Sequence, residues 1–268
     1  MAVVMEYAIP DRGLGFSPDL EGRVVIITGA GQGIGRIYAH RMAEAGAIPV
    51  IAEIDEGRCN HVSEEIRSAG RRCLAFPTDV ANRESVESTI RHTLESTGRI
   101  DVLVNNAAIY SRLSRGTFDT LPLQEWDDVL RTNVTGAFLC ARAVLPAMRR
   151  AKWGRIVHIS SSTVLLGRPN FLHYVTSKAA LIGMTRAMAR ELGPDGITVN
   201  SILPGLTKTE IDAAGATEQV WQTIIDRQCI KRSEVPDDIA SVLLFLASSA
   251  SGFITGQSIV VDGGAAYS

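Results

Sequence analysis

From Arg23 onward, short runs of consecutive apolar residues alternate with longer segments whose apolar residues recur at helical spacing. The runs are Val24–Thr28, Ile48–Glu53, Arg72–Pro77, Ile100–Asn105, Arg155–Ser160, Thr198–Leu203 and Ser258–Val261. The helix-period segments are Gly33–Ala45, Gly57–Ala69, Arg83–Thr97, Gln124–Arg150, His173–Leu192 and Pro236–Ala247. Strands without polar alternation, each followed by a helix, predict a parallel sheet covered on both faces. Right-handed crossovers then make it a doubly wound α/β arrangement. Gly46, Gly70, Gly98 and Gly193-Pro194 mark helix ends.

No repeat or composition shift divides residues 21–268, which read as one domain. Residues 1–20 read as an arm, broken by Pro10 and Pro18, with Tyr7, Leu14 and Phe16 able to pack on the body or a neighbouring subunit. Pro204–Glu234 has no clear strand and follows the sixth strand, at the sheet edge where open α/β sheets bind ligands. It is a candidate substrate lid over about 204–234.

The composition narrows the function. With 268 residues, net charge −2 and no Lys/Arg-rich run, nothing points to nucleic acid or an anionic membrane surface. No apolar stretch reaches transmembrane length, and acidic Glu6, Asp11 and Asp19 do not fit a secretory signal. Cys59, Cys73, Cys140 and Cys229 lack C-x-x-C spacing and read as reduced thiols of a cytoplasmic protein. The five histidines show no ligand spacing, so no catalytic metal is expected, and His158 reads as a core or edge residue.

The first strand runs into Thr28-Gly-Ala-Gly-Gln-Gly-Ile-Gly35 and then a helix. Strand, glycine turn and helix is the context of a dinucleotide-binding turn, here G-x-x-x-G-x-G, one residue longer in its first gap than the common Rossmann fingerprint. Gly29 allows a sharp turn, Gly33 lets pyrophosphate approach the backbone, and Gly35 lets helix and sheet pack closely. Gln32 and Ile34 lie in the same turn, and the helix N-terminus offers free N–H groups to phosphate. The fold class expected is α/β, a seven-stranded doubly wound Rossmann fold. Glu53 ends the second strand about 20 residues on, where a carboxylate accepts the adenosine ribose hydroxyls, with Asp55 second. Gln32 and Ile54, where a basic residue would answer a 2′-phosphate, are uncharged, so NAD is expected rather than NADP. Asp79-Val80 follows the third strand and suits the adenine amino group. Asn105-Asn106-Ala107-Ala108 ends the fourth and suits a backbone passing against the cofactor.

Tyr174 and Lys178 stand four residues apart on one helix face. Ser161 closes the fifth strand thirteen residues before Tyr174, and Asn133 lies in the preceding long helix. These side chains meet the needs of hydride transfer between an alcohol and nicotinamide. The phenol takes the hydroxyl proton. Its unperturbed pKa is near ~10, and the Lys178 ammonium favours phenolate. Lys178 also suits the nicotinamide ribose, Ser161 the substrate oxygen, and Asn133 a water between Lys178 and solvent.

On these residues the chain resembles the short-chain dehydrogenase/reductase family, in its non-extended single-domain branch. Val199-Asn200, Pro204-Gly205 with Thr209, and Asp262-Gly263-Gly264 add to the resemblance, which covers residues 21 to 264. It implies a catalytic tetrad at Asn133, Ser161, Tyr174 and Lys178. It implies a homotetramer, less often a dimer, built on the helices containing Asn133 and Tyr174. It also implies that Pro204, Gly205, Thr207 and Thr209 hold the carboxamide end of nicotinamide. Two departures stand out: Ala108 where the family usually has Gly, and the long arm.

Candidate substrate-pocket residues are Tyr110, Thr163, Leu165, Leu166, Phe171, His173, Leu206 and Trp221, mostly apolar, which predicts a hydrophobic or aromatic secondary alcohol or ketone. Arg112, Arg115 and Arg168 are candidates to read a carboxylate or phosphate at the mouth, though each singly also suits a solvated surface. The alternatives are a 3-oxoacyl-[acyl-carrier-protein] reductase, a sugar or polyol dehydrogenase, and a nucleotide-binding scaffold or redox sensor without turnover. Glu53 and Asp195 count against the first, and the presence of Ser161, Tyr174 and Lys178 against the last.

Overall fold

The computed structural model describes residues 19–211 and 217–267; the arm predicted over 1–20 lies almost wholly outside them. The strands are β1 Val24–Thr28, β2 Ile48–Glu53, β3 Leu74–Pro77, β4 Val102–Asn105, β5 Gly154–Ile159, β6 Ile197–Pro204 and β7 Ser258–Val261. They pair in the order β3-β2-β1-β4-β5-β6-β7, every pair parallel. The helices are α1 Gly33–Glu44, α2 Glu56–Ser68, α3 Arg83–Thr97, α4 Leu123–Leu130, α5 Gly136–Ala151, α6 Thr163–Leu166, α7 Leu172–Leu192, α8 Glu218–Arg227 and α9 Pro236–Ala247. This is the predicted seven-stranded doubly wound sheet.

Alternation along each strand feeds two cores. Val25, Ile27, Ile51, Val104 and Ile159 pack with Tyr38 and Met42 of α1 and Leu243 and Leu246 of α9. Val24, Ile26, Val50, Leu103 and Ile156 pack on the other face with Ile90 of α3 and Val144 and Met148 of α5. Burial on both faces explains why the strands read as unbroken apolar runs. The chain reverses direction across the sheet between β1 and β4, which leaves a crevice at their carboxyl ends.

Several predicted elements differ, among them β4, which starts at Val102 rather than Ile100. The helix expected over Gln124–Arg150 is interrupted by a π turn, Arg131–Thr135, between α4 and α5. A single π turn shifts the apolar stripe by one residue, which a helical pattern broad enough to cover both flanks does not show, and such turns collect at functional sites. The strand expected from Arg72 starts at Leu74, and Asp55, second choice for the ribose, caps α2 by accepting the Arg58 amide at 2.9 Å. The Pro204–Glu234 segment contains α8, started by Thr217, whose side chain accepts the Val220 amide.

Candidate active site

One cleft of about 650 Å³ runs along the carboxyl ends of the strands. At one end it is lined by Gly29, Gln32, Ile34, Gly35, Glu53, Asp79 and Val80. Its middle is lined by Asn106, Ala107, Ala108, Pro204, Gly205, Thr207 and Thr209, and its far end by Tyr110, Ser161, Thr163, Tyr174, Lys178 and Leu206. Of the residues expected to hold a dinucleotide, Gly33, Asp55 and Asn105 are missing from this wall.

The glycine turn is built for close approach. Gly29 and Gly33 have φ of +64° and +57°, which disfavours any side chain. A Cβ on Gly35 would stand 2.2 Å from the Gly29 carbonyl oxygen, so α1 and the turn meet only through glycine. Thr28 Oγ1 accepts the Asn106 and Ala107 amides at 3.0 and 3.1 Å, while Asn106 Nδ2 donates to the Thr28 and Gly29 carbonyls. Gly33 N donates to Glu210 Oε1 at 2.8 Å, with Ile211 packed against the Gly33 position. A carboxylate oxygen thus already stands where this helix start would meet pyrophosphate, and the site fits a dinucleotide on that ground. Glu53 is buried at the other side of the turn. Its oxygens accept the Gly31 and Asp55 amides at 3.1 and 3.2 Å. Arg58 reaches back from α2, 3.8 Å from Glu53 and 2.5 Å from Gln32 Oε1. This is the basic residue that the sequence neighbours of Glu53 did not supply.

At the far end, β5 delivers Ser161 and α7 delivers Tyr174 and Lys178. Ser161 Oγ accepts from Thr163 Oγ1 at 2.9 Å, which leaves its own proton for another acceptor. Lys178 Nζ donates to the Ile159 carbonyl at 2.7 Å and lies 5.6 Å from the centre of the Tyr174 ring. Burial lowers the Lys178 pKa to about 8. Burial raises that of Tyr174 above its ordinary value, and Tyr110 adds to the rise, while Ser161, Arg168 and Arg115 oppose it. Asn133 sits in the π turn, behind the cleft wall. Its Oδ1 accepts the Ile109 amide at 2.8 Å and its Nδ2 donates to Ser177 Oγ at 3.0 Å. Ser177 in turn donates to the Tyr174 carbonyl at 2.8 Å, so the π turn is tied to the start of α7. A buried phenol, a hydroxyl and an ammonium around one volume can bind an alcohol or carbonyl oxygen and move its proton.

Several expected pocket residues lie elsewhere. Phe171 is fully buried and stacks on Tyr174 at 4.7 Å, forming the back of the wall. His173 is buried and shares a 2.8 Å hydrogen bond with Glu125, whose carboxylate also accepts from Ser114. Leu165 and Leu166 are exposed on α6, and half-buried Trp221 of α8 is not on the cleft wall. Periodicity could not separate these roles, because an aromatic beside a site and one behind it look alike in sequence. Arg58, Ser177, Glu210 and Glu234 went unnoticed. Only Ser177, three residues past Tyr174 on the same helix face, carried a usable signal.

Among the described residues no helix is long and apolar enough to cross a membrane. A family model described as enoyl-(acyl carrier protein) reductase matches residues 29–266. A Thauera aromatica protein, (2S)-[(R)-hydroxy(phenyl)methyl]succinyl-CoA dehydrogenase subunit BbsD, is 41% identical over 91% of this chain and 97% of its own. The 3-oxoacyl-[acyl-carrier-protein] reductase FabG of Aquifex aeolicus is 35% identical over 91% and 98%. A crystal structure from Sinorhizobium meliloti 1021, assigned to the short-chain alcohol dehydrogenases, superposes with a TM-score of 0.86 at 35% identity, over 91% of this chain and 96% of that one. With sheet order, cleft and relatives in agreement, the chain belongs to the short-chain dehydrogenase/reductase family of oxidoreductases.

Proposed function

We propose that this protein is an NAD-dependent dehydrogenase that interconverts a secondary alcohol and its ketone, on a hydrophobic or aromatic substrate. The observation that carries this reading is that Ser161, Tyr174 and Lys178 share one cleft with the glycine turn and Glu53. When bound, the dinucleotide supplies the nicotinamide carbon that takes or gives the hydride. The Ser161 proton, left free by Thr163, holds the substrate oxygen. Tyr174 Oη takes the hydroxyl proton in oxidation and returns it in reduction. Burial keeps it protonated, Ser161, Arg168 and Arg115 draw its pKa back down, and Lys178 stands 5.6 Å from its ring centre. Asn133 positions Tyr174 through Ser177. Glu53 accepts the adenosine ribose hydroxyls, and Pro204 to Thr209 hold the carboxamide. Residues 204–234 act as the substrate lid of a single domain over 21–268.

The Thauera relative is named for a substrate with a phenyl carbinol, which agrees with an apolar pocket. A second reading, 3-oxoacyl-[acyl-carrier-protein] reduction with NADPH, draws on Arg58 beside Glu53 and on the Aquifex relative. We also propose a cytoplasmic homotetramer or dimer formed on α5 and α7. The deciding experiment follows NADH absorbance with aryl carbinols, hydroxy acids, polyols and a 3-hydroxyacyl thioester, each with NAD⁺ and NADP⁺. Turnover of aryl carbinols with NAD⁺ supports the first reading. Turnover confined to the thioester with NADP⁺ replaces it with the second.

A further inference from the structure

The segment that leaves β6 is clamped from behind by one buried carboxyl group. Gly205, Leu206 and Thr207 line the cleft, while Glu234 stands outside its wall. Glu234 Oε2 accepts the Gly205 amide and Oε1 accepts the Thr207 hydroxyl, both at 3.0 Å. Its main-chain carbonyl accepts the Lys208 amide at 2.8 Å, so the clamp runs from Gly205 to Lys208. A Cβ on Gly205 would press on Oε2 from 2.6 Å, and glycine leaves the carboxyl that room.

The charges around Glu234 do not neutralise it. Arg232, which feels it, is bound to Asp238 at 2.6 and 2.7 Å. Asp238 of α9 and Asp262 after β7 are like charges, and Tyr38 of α1 presents a buried phenol. Burial, then these two carboxyls, raise the Glu234 pKa to about 7, so both of its forms exist close to neutrality.

The two forms turn different groups toward the cleft. A carboxylate only accepts, so it takes the Thr207 proton and leaves the Oγ1 lone pairs for a donor in the cleft. A neutral carboxyl keeps one oxygen for the Gly205 amide and donates from the other to Thr207, whose own proton is then released. The Gly205 carbonyl, 3.4 Å from Oγ1, is a weak rival for that proton. A carboxamide, with an N–H donor and a carbonyl acceptor, distinguishes the two states; a ketone, which only accepts, does not gain from the first.

We propose that Glu234 is a positioning residue for the cofactor: ionised, it makes Thr207 Oγ1 an acceptor for the carboxamide N–H of nicotinamide and selects against cofactors that lack this donor. This inference rests on the reading that Pro204 to Thr209 hold the carboxamide.

The test titrates the protein, by fluorescence at pH 6 and pH 8.5, with NADH and with its reduced 3-acetylpyridine analogue, which carries a methyl ketone in place of the carboxamide. The wild-type preference for NADH is expected to rise about three- to tenfold between the two, the contribution of one hydrogen bond. Glu234→Gln offers an acceptor to Gly205 and a donor to Thr207 at every pH, so its preference should stay at the wild-type pH 6 level. Thr207→Val should be flat as well. A preference that does not move with pH in the wild type, or that moves equally in either variant, overturns the proposal. So does an equal loss of affinity for both cofactors in Glu234→Gln, the result of a carboxyl that only braces the loop. Each of these outcomes leaves the dehydrogenase function standing. NADH that fails to bind at either pH sinks that function and this inference with it.

Discussion

The two ends of the cleft are made in different ways. The dinucleotide end is made of strand ends and backbone. Hydrogen bonds between side chains and main chain tie Asn106 to Thr28 and Gly29, and Glu53 to Gly31, across β1, β2 and β4. The substrate end hangs on side chains from the β4–α4 loop, α6 and α7, where Phe171 stacks on Tyr174, Tyr110 packs against both rings at an angle, and Arg115 and Arg168 lie over Phe171. A backbone site admits few residues and leaves a fixed motif. A side-chain site tolerates exchange, which is how one fold serves many substrates.

The sharpest way to separate the two ends is to disable one. Tyr174→Phe removes the proton carrier but keeps the buried ring and its stacking. kcat is expected to fall about 10³-fold, in the range of general acid–base contributions. NAD⁺ affinity, measured by fluorescence titration, should stay within about threefold, since the ring stays packed on Phe171 and Lys178 keeps its bond to the Ile159 carbonyl. Retained turnover would sink the proposed mechanism, and lost cofactor binding would show that the two ends are not separable.

Between them lies the β6 exit, where Glu234 joins both. It is buried, and its carboxylate accepts the Gly205 amide and the Thr207 hydroxyl, both at 3.0 Å. Burial raises its pKa to about 7, and Asp238 and Asp262 add to the rise. A carboxyl whose folded pKa exceeds its unfolded one stabilises the protein fully below about pH 4 and loses that contribution as pH rises through 7. Wild-type stability should therefore fall by roughly 2 kcal/mol between pH 5 and 9. Glu234→Gln should flatten this slope, being no more stable than wild type at pH 5 and more stable at pH 9. Parallel urea midpoints across that range would mean the carboxyl stays ionised.

Cofactor choice tests the dinucleotide end alone. Glu53 opposes a 2′-phosphate, yet Arg58 lies 3.8 Å away and would welcome one once Glu53 is neutral. Glu53→Gln should shift the kcat/KM ratio of NADP⁺ to NAD⁺ upward by about tenfold, or 1.4 kcal/mol. An unchanged ratio would reduce Glu53 to a brace for the glycine turn through Gly31.

What the sequence revealed follows the same division. All seven strands and the glycine turn were legible, because double-sided burial and positive φ restrict residue choice directly. So was the convergence of Ser161, Tyr174 and Lys178, since all three sit at the carboxyl ends of neighbouring strands or the helix beside them. The π turn at Asn133 was not legible, because one inserted residue does not change which amino acids suit a helix. The pocket was read only in part. Tyr110, Thr163 and Leu206 line the cleft, whereas Phe171 and His173 support it from behind. Arg58 escaped notice because its role depends on α2 folding back over β2, a relation between elements rather than a spacing.

The smallest effect concerns a contact between the glycine turn and the segment after β6 proposed as a lid. Glu210 places a carboxylate oxygen 2.8 Å from Gly33 N, at the positive end of α1. A bound pyrophosphate would compete for the same donor. Glu210 is exposed, so its hold on that amide is modest, within about 0.3–1 kcal/mol for a charge at a helix N-terminus. Glu210→Ala should therefore tighten NAD⁺ binding by about two- to threefold and leave kcat unchanged when cofactor is saturating. If affinity falls instead, Glu210 swings onto another part of the bound dinucleotide, and the segment after β6 serves the cofactor end.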